Sequence, residues 1–270
     1  MQGYTFDSHV HSENSFDGKD SVISICEFAI ANDINGLAIT DHCEVNDYKN
    51  GFEEDIRNSH RDIRVAQEIY KGKLDLKVGI ELGQPLQDIE TAEKIIKEFP
   101  CDFIIGSMHN VQNEKDFHDM EPDDFKVRID SLLLSYYKEY YDMVKWGMFD
   151  VIGHITYPLR YVEGIYKMKI DMNKYNEIIY EMLKIAVSKG IGIEVNVSGF
   201  RQPYGKQFPN IEHIKAYKEY GGEIITIGTD SHTFETIGMD MDRGKELLTK
   251  CGFKYYSFFE ERQAKMIPIL

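Results

Sequence analysis

The sequence predicts an α/β barrel made of seven repeated strand–helix units. Two observations predict it: apolar runs of about four to six residues alternate with longer segments of helical period, and residues typical of turns and caps stand between them. A chain of 270 residues is long enough for one such barrel or for two ordinary domains. Because the sequence has no evident linker, low-complexity segment or internal repeat, we predict a single domain over residues 1–270.

The predicted elements follow this repeat in order along the chain. Apolar runs predict strands near 4–9, 36–40, 76–81, 102–106, 150–153, 191–196 and 223–228, with an eighth candidate near 253–256. Segments of helical period predict helices near 21–33, 55–71, 88–98, 122–147, 172–189, 211–220 and 240–250. Pro122 and Asp171 suit helix starts, and Gly147 suits a helix end. Two long loops, 43–54 and 155–171, follow strands, on the side where barrel enzymes build their sites.

Composition and charge exclude several classes of partner. The chain is 42% hydrophobic and 29% charged, and its apolar stretches are too short to cross a bilayer. The first strand begins within a few residues of Met1, which leaves no room for a signal peptide, and the four cysteines lack CxxC spacing. We therefore expect a cytoplasmic protein with reduced thiols and no membrane contact. The net charge of −15 argues against nucleic acid as a partner, although metal ions and a few arginines can reverse the field for a small phosphorylated substrate.

The distribution of histidine is the strongest functional signal. Six of the nine histidines follow the end of an apolar run: His9, His11, His42, His109, His154 and His232. Glu81 and Glu194 end two further runs. If these runs are parallel strands of one barrel, their carboxyl ends meet at one mouth, and the pattern predicts a multinuclear metal site there. His60, His118 and His213 lack this framing, and we assign them no role.

The spacing of these residues also suits metal ligands. In His9-Val10-His11 and in Asp230-Ser231-His232 the ligand types stand two apart, and residues two apart on a strand point to the same face. A lone histidine near a strand end is more often a packing residue, so the prediction rests on the joint pattern. Mixed imidazole and carboxylate donors suit two or three Zn, Mn or Fe ions.

These motifs together resemble the PHP (polymerase and histidinol phosphatase) superfamily of metal-dependent phosphoesterases. The motifs that carry the resemblance are His9-Val10-His11, Thr40-Asp41-His42, Glu81, Ser107-Met108-His109, Gly153-His154 and Gly228-Thr229-Asp230-Ser231-His232. The resemblance implies a distorted (β/α)7 TIM-like barrel with a trinuclear site at its C-terminal mouth. It implies a first metal on His9, His11, Glu81 and Asp230, a second on Glu81, His109 and His154, and a third on Asp17, His42 and His232. Whether the third site is filled stays open.

Within the superfamily the chain most resembles the PHP-type histidinol-phosphate phosphatases. Segment 149–154, followed by Arg160-Tyr161, and segment 194–203, which contains Arg201, carry this similarity. It implies hydrolysis of L-histidinol phosphate to L-histidinol and phosphate, a step of histidine biosynthesis, by attack of a metal-bridging hydroxide. The bulky run Ile155-Thr156-Tyr157 departs from many relatives, which have a less bulky, more acidic run there.

The resemblance and the chemistry also suggest roles for residues near the predicted ligands. Arg160 and Arg201 are expected to clamp phosphate oxygens, because a guanidinium fork matches phosphate geometry. No single acid for the leaving alkoxide stands out; His42 or His232 could serve if the third metal is absent.

Further expectations concern residues around the ligands and the substrate's cationic end. Asp7 and Asp41 are expected to orient metal-bound imidazoles. For the amine and imidazole of the substrate, Glu44 and Glu163 are candidate carboxylates and Tyr161 is a candidate stacking partner.

Three alternatives remain at this stage. A PHP exonuclease or nucleotide phosphoesterase would favour a basic rim, yet loops 43–55 and 112–124 are rich in Asp and Glu. A PHP phosphotyrosine-protein phosphatase would need a shallow mouth, against which the long 155–171 loop argues. A metal-free, non-catalytic PHP module is disfavoured because every motif ligand is present.

Overall fold

A parallel sheet forms the centre of the protein in the computed structural model, which describes residues 3–269. Its strands are β1 (Phe6–Val10), β2 (Gly36–Ile39), β3 (His42–Glu44), β4 (Asp75–Gly83), β5 (Phe103–Ser107), β6 (Val151–Ile152), β7 (Gly192–Asn196) and β8 (Ile225–Gly228). They pair in the order β1-β2-β4-β5-β6-β7-β8, and β3 pairs with β4 beyond the end of β2. The strand residues are almost all buried, as expected of a parallel sheet covered by helices.

The two edges of this sheet meet and nearly close it into a barrel. Val10, the last residue of β1, forms a parallel bridge with Ser231, just past the end of β8. The backbone N–H of Asp230 donates to the carbonyl of His9 at 2.8 Å, and that of His11 donates to the carbonyl of Ser231 at 2.8 Å. The predicted seven-stranded barrel is therefore confirmed, and its closure brings the first and last motifs of the chain side by side.

Eight helices surround the sheet within residues 3–269. They are α1 (Val22–Ala31), α2 (Phe52–Ile69), α3 (Ile89–Glu98), α4 (Pro122–Phe125), α5 (Ile129–Trp146), α6 (Asn176–Lys189), α7 (Ile211–Glu219) and α8 (Met241–Lys250). The predicted 122–147 helix is two helices, with Pro122 opening the first and Gly147, at φ 74°, ending the second. Asp171 caps a 3₁₀ turn (Met172–Lys174) that precedes α6. None of the helices in this described part is long and apolar enough to cross a membrane.

The candidate eighth strand belongs to a C-terminal hairpin and does not join the barrel. β9 (Tyr255–Glu260) pairs antiparallel with β10 (Gln263–Pro268), because the chain reverses at Glu261 and Arg262, both at positive φ. Nε of Arg262 donates to Asp150 at 2.6 Å, and the N–H of Glu261 donates to Asp102 at 3.0 Å. Asp102 and Asp150 directly precede β5 and β6, so the hairpin covers the end of the barrel opposite the metal-ligand motifs.

Both long loops on the motif side contain short helical turns. The predicted 155–171 loop contains a π-helical turn (Arg160–Ile165), and the 43–54 loop contains β3 and a 3₁₀ turn (Val45–Asn50). Thr40 and Asp41 interrupt the second strand of the barrel, and β3 resumes it with His42 in register with Glu81. The interruption therefore sets an imidazole directly beside the carboxylate of the neighbouring strand.

Candidate metal centre

The carboxyl ends of the strands surround one cavity of about 910 Å³. The nine side chains predicted as metal ligands lie on its walls or beneath its floor: His9, His11, Asp17, His42, Glu81, His109, His154, Asp230 and His232. They come from strands or from the loops that follow them, and parallel barrel strands all end on the same side. Their convergence is thus a consequence of the fold.

The first donor cluster comprises His9, His11, Glu81 and Asp230. Oε2 of Glu81 lies 3.3 Å from Nε2 of His9 and 3.5 Å from Nε2 of His11. Oδ1 of Asp230 lies 3.9 Å and 3.5 Å from the same two nitrogens, which are 3.0 Å apart. Ligands held about 2.1 Å from one tetrahedral ion stand ~3.4 Å from each other. The observed separations match those around a single ion.

The second cluster shares Glu81 with the first. Oε1 of Glu81 lies 2.8 Å from Nε2 of His154 and 3.3 Å from Nε2 of His109, and those nitrogens are 3.3 Å apart. Nδ1 of His42 lies 3.0 Å from Oε2 of Glu81, and Ser107 donates to Oε1 at 2.7 Å. Because its two oxygens face different clusters, Glu81 has the geometry of a bridging ligand.

The third cluster, Asp17, His42 and His232, lies nearest to solvent. Oδ2 of Asp17 is 3.0 Å from Nε2 of His232, and Oδ1 is 3.6 Å from Nε2 of His42. The ring of His11 stacks on the rings of both histidines, at 4.3 Å and 4.2 Å. The Asp17 side chain is 40% exposed, whereas the side chains of the first cluster are at most 6% exposed.

The electrostatics of the clusters favour a cation. Burial would raise the pKa of Glu81, but the imidazoles of His9, His42 and His109 hold it well below its ordinary value. Burial would likewise lower the pKa of His9, but Glu194 and Glu81 raise it well above its ordinary value. At neutral pH the carboxylate therefore stays ionised, and His9 attracts a proton that a metal ion would displace.

The donor chemistry fits divalent metal ions. Within residues 3–269, Oε2 of Glu81 is buried and receives no hydrogen bond, although imidazole nitrogens surround it. Nδ1 of His9 lies 2.6 Å from the carboxylate of Glu194, which only accepts, so Nδ1 carries a hydrogen, and Nε2, which faces Glu81, is the nitrogen from which a metal ion would displace the proton. Imidazole nitrogens and carboxylate oxygens that converge on one point favour a cation there, and mixed imidazole and carboxylate donors suit Zn, Mn or Fe.

Two carboxylates, Glu194 and Glu44, bond the second ring nitrogen of a ligand imidazole, a role that was not predicted for either. Glu194 holds Nδ1 of His9 and also accepts from the backbone N–H of His154 at 2.9 Å. Glu44, predicted as a contact for the substrate's cationic end, instead accepts from Nδ1 of His109 at 2.9 Å and from the side chain of Gln84. The signal for Glu194 was its place at the end of an apolar run, which resembles that of Glu81.

The predicted role of Asp7 is wrong, and that of Asp41 is indirect. Asp7 accepts from the N–H and the hydroxyl of Thr229, at 3.0 Å and 2.5 Å, and from the backbone of Gly238. These donors occupy its oxygens, so its side chain ties β1 to the loop after β8 and not to an imidazole. Asp41 contacts Ser15, whose hydroxyl in turn lies 3.1 Å from Nδ1 of His11.

Arg160 lines the cavity beside the first cluster. Its Nη2 donates to Oδ2 of Asp230 at 2.7 Å and to the hydroxyl of Ser198 at 2.9 Å. Its guanidinium lies over the rings of Tyr157 and Phe208, at 5.1 Å and 5.3 Å. Burial would lower the pKa of Arg160, but Asp230 raises it, so the guanidinium is a fixed positive charge at the cavity wall.

Arg201 lies behind the mouth and is used differently from the prediction. Its Nη2 donates to the backbone carbonyls of Thr229 at 2.6 Å and of Asp230 at 3.1 Å. Burial lowers the pKa of Arg201. The position argues against the predicted phosphate clamp, because this guanidinium holds the loop that carries Asp230.

One wall of the cavity is aromatic and acidic. Oδ1 of Asp116 accepts from the hydroxyl of Tyr157 at 3.0 Å and from the backbone of His118 at 2.7 Å. Tyr161 lies 2.9 Å from the Tyr157 hydroxyl and 5.9 Å, ring to ring, from His118. His118, to which no role was assigned, thus lines the cavity, whereas the candidate Glu163 lies outside it and accepts from the backbone of Ile170.

Fold and donor clusters together define a barrel protein with a multinuclear metal centre at its C-terminal mouth. A family model, the PHP domain, matches residues 7–198, which is more than half of the chain. The chain therefore belongs to the PHP domain family, in agreement with the motifs in its sequence.

Individual relatives agree with this membership. The chain is 27% identical over 255 residues to a histidinol-phosphatase of Lactococcus lactis, covering 94% of this chain and 93% of the relative. It is similar to the crystal structure of histidinol phosphate phosphatase from Lactococcus lactis complexed with zinc, L-histidinol and phosphate. That similarity has a TM-score of 0.83 at 25% identity and covers 97% of this chain and 98% of the other. A structure from Listeria monocytogenes, with a TM-score of 0.75 at 17% identity over 88% of this chain and 99% of the other, supports the fold alone.

Proposed function

We propose that the protein is a metal-dependent phosphomonoesterase that hydrolyses L-histidinol phosphate to L-histidinol and phosphate. The observation that carries the proposal is one cavity with two chemically different parts: a floor of metal donors beside Arg160, and an acidic, aromatic wall around Asp116. A phosphate suits the first part, and an amine or imidazole suits the second. The Lactococcus lactis structure, which holds zinc, L-histidinol and phosphate, supports this pairing.

The residues that would hold the metals are those of the three donor clusters. His9, His11, Glu81 and Asp230 would hold the first ion, Glu81, His109 and His154 the second, and Asp17, His42 and His232 the third. When bound, divalent cations lower the pKa of water and offset the negative charge of a phosphate.

Arg160 and Arg201 have different roles beside the metal ligands. Arg160 keeps one nitrogen on Asp230 and lies in the cavity wall, so the rest of its guanidinium can bind a phosphate oxygen. Arg201 positions the first-cluster ligand Asp230 by holding the backbone carbonyls of the same loop.

The leaving alkoxide needs a proton. The two candidate acids, His42 and His232, differ in how far their side chains are exposed to solvent. The side chain of His232 is 25% exposed and that of His42 is 8% exposed. Nδ1 of His232 donates to the backbone carbonyl of Asp230, which leaves Nε2 as its exchangeable nitrogen. With the third cluster free of metal, His232 in its protonated form is the imidazole better placed to donate a proton from Nε2 to the leaving alkoxide.

The cationic end of the substrate suits Asp116. Its Oδ1 is used by Tyr157 and His118, while its Oδ2 accepts no hydrogen bond from the described residues. An ammonium or imidazolium group would bind this oxygen, and the rings of Tyr161 and His118 offer flat surfaces for an imidazole.

The alternatives fit this cavity less well. Carboxylates from two loops line its mouth, including Asp47, Glu114, Asp116 and Asp119, and a polyanionic nucleic acid would be repelled by them. The 155–171 loop, whose Tyr157 and Tyr161 line the cavity, argues against the open site that a phosphotyrosine on a protein surface would need. A metal-free module would have no need for converging lone pairs at Glu81.

A panel of phosphomonoesters tests the proposal. We expect kcat/KM for L-histidinol phosphate to exceed that for p-nitrophenyl phosphate and for nucleotides by orders of magnitude. Comparable rates across the panel would reject the substrate while leaving a phosphatase. No hydrolysis of any member by zinc-, manganese- or iron-loaded protein would reject the activity itself.

A further inference from the structure

The histidines of the clusters differ in what holds their second ring nitrogen. Nδ1 of His9 and of His109 each face a carboxylate, at 2.6 Å and 2.9 Å. Nδ1 of His232 faces a backbone carbonyl at 3.0 Å. These partners only accept, so each places a hydrogen on Nδ1 and leaves Nε2 as the nitrogen that can bind a metal. Nδ1 of His11 instead faces the hydroxyl of Ser15, which can either donate or accept.

The neighbours of Ser15 decide which way this hydroxyl bonds. Its oxygen lies 2.9 Å from Oδ1 of Asp41 and accepts from the backbone N–H of His42 at 3.1 Å. A hydroxyl has one hydrogen, and beside a carboxylate oxygen that hydrogen goes to the carboxylate. What remains for Nδ1 of His11 is a lone pair, so that nitrogen must carry the hydrogen.

Asp41 is itself held as an acceptor by three serines. Its oxygens accept from the backbone of Ser12 at 2.6 Å, and from the hydroxyls of Ser12 at 2.7 Å and Ser59 at 2.5 Å. The hydroxyl of Ser12 already receives two hydrogen bonds from Asn14, so its own hydrogen points to Asp41. All of these serines are fully or almost fully buried, as is Asp41, and water does not compete for the bonds.

We propose that Ser15 is a positioning residue that sets the tautomer of His11. This proposal rests on the metal centre of the proposed function and does not depend on the substrate. Fixed by Asp41, the hydroxyl of Ser15 accepts from Nδ1 of His11 and so leaves Nε2 bare towards Glu81 and Asp230, both 3.5 Å away. Without that acceptor, His11 can carry its hydrogen on Nε2, where it cannot bind a metal.

The same hydroxyl couples neighbouring clusters. Because Ser15 also accepts from the backbone N–H of His42, it ties the ligand of the first cluster to the chain segment that carries a ligand of the third. The bond to His42 lies where β3 begins, directly after the interruption of the second strand. Loss of the hydroxyl is therefore expected to weaken metal binding without removing any ligand.

Ser15→Ala tests the proposal, with Ser59→Ala as its matched control. Both changes remove a buried hydroxyl bonded to Asp41, and only the first touches His11. Zinc affinity is measured on metal-stripped protein by competition with a chromophoric chelator, without substrate. We expect Ser15→Ala to weaken the tightest zinc site by ~10- to 100-fold and Ser59→Ala to change it less than about 3-fold.

An independent measurement uses the unmutated protein. The ¹⁵N imidazole shifts of the metal-free chain report the tautomer of each histidine, and the His11 signals are identified by their loss in His11→Gln. We expect the hydrogen of His11 on Nδ1. A hydrogen on Nε2, wild-type zinc affinity in Ser15→Ala, or equal losses in the two alanine variants would each overturn the proposal. If the unmutated chain binds no zinc, the metal centre itself fails, which is a separate result.

Discussion

Replacing Asp116 with asparagine should separate substrate recognition from phosphate chemistry. Asparagine keeps an oxygen for the hydroxyl of Tyr157 and the backbone of His118, so the wall should keep its shape. The second oxygen becomes an NH₂ group, which cannot accept from an ammonium. The expected loss is one hydrogen bond to a charged group, about 1.5–3 kcal/mol in a buried setting.

The partial exposure of this wall moves the expected loss towards the lower end of that range. At about 1.4 kcal/mol per factor of ten, we expect kcat/KM for L-histidinol phosphate to fall by ~10- to 30-fold, mostly through KM. The rate with p-nitrophenyl phosphate, which has no amine, should stay within about 2-fold. Asp119→Asn, an exposed carboxylate on the same loop, is the matched control and should change neither rate by more than about 2-fold. Equal losses on both substrates, or none on either, would refute a role for Asp116 in binding the cationic end.

Four further predictions follow from the contacts around the cavity. Glu194→Gln should weaken metal retention by ~10- to 100-fold, because an amide holds Nδ1 of His9 less firmly than a carboxylate; metal analysis after dialysis measures it, and full retention would contradict it. Removing the metals with a chelator should abolish hydrolysis, and adding back Zn, Mn or Fe should restore it; activity that survives complete removal would refute metal dependence. Arg160→Ala should lower kcat/KM by ~10²-fold or more, because its guanidinium is expected to bind the phosphate. Arg201→Ala should mainly lower the free energy of unfolding, by about 1–3 kcal/mol in urea titrations. The reverse pattern would mean that Arg201 binds the phosphate and that Arg160 positions the loop. Burial lowers the pKa of His213 to about 4, so the unfolded chain binds more protons than the folded chain between pH 6.5 and 4. The free energy of unfolding should therefore fall by about 3 kcal/mol as the pH falls through that window. His213→Gln should flatten this dependence of the free energy of unfolding on pH, and an unchanged dependence would refute the reasoning.

The metal ligands could be predicted from the sequence because their positions follow from patterns among neighbouring residues. A strand places residues two apart on one face, and a parallel barrel collects strand ends at one mouth. His9, His11, Glu81 and Asp230 all lie at or just past the end of a strand, and the structure brings both carboxylates within 4 Å of the two imidazoles. Their neighbours along the chain were enough to identify them.

The residues behind the ligands were not accessible in this way. Glu194 meets His9 across 185 positions of sequence, and Glu44 meets His109 across 65. Such pairs depend on the register of strands around the closed barrel, which no local pattern encodes. Asp7 shows the same limit, since nothing in its surrounding sequence indicates that Thr229 would reach it first.

The interrupted second strand places both a residue that the sequence predicts well, the ligand His42, and one whose role the sequence does not predict, the anchor Asp41. Had β2 continued without a break, residues 40 and 41 would pair with β4 and their side chains would alternate across the sheet. The break instead turns Asp41 into a buried network with Ser12, Ser15 and Ser59 and restarts the strand with His42 opposite Glu81. The motif Thr-Asp-His thus supplies one ligand and the anchor that orients another. A sequence pattern predicts the first of these, because it is a residue type at a strand end. The role of Asp41 as an anchor follows from the hydrogen bonds of one hydroxyl, that of Ser15, and these bonds can be assigned once the three-dimensional structure is known.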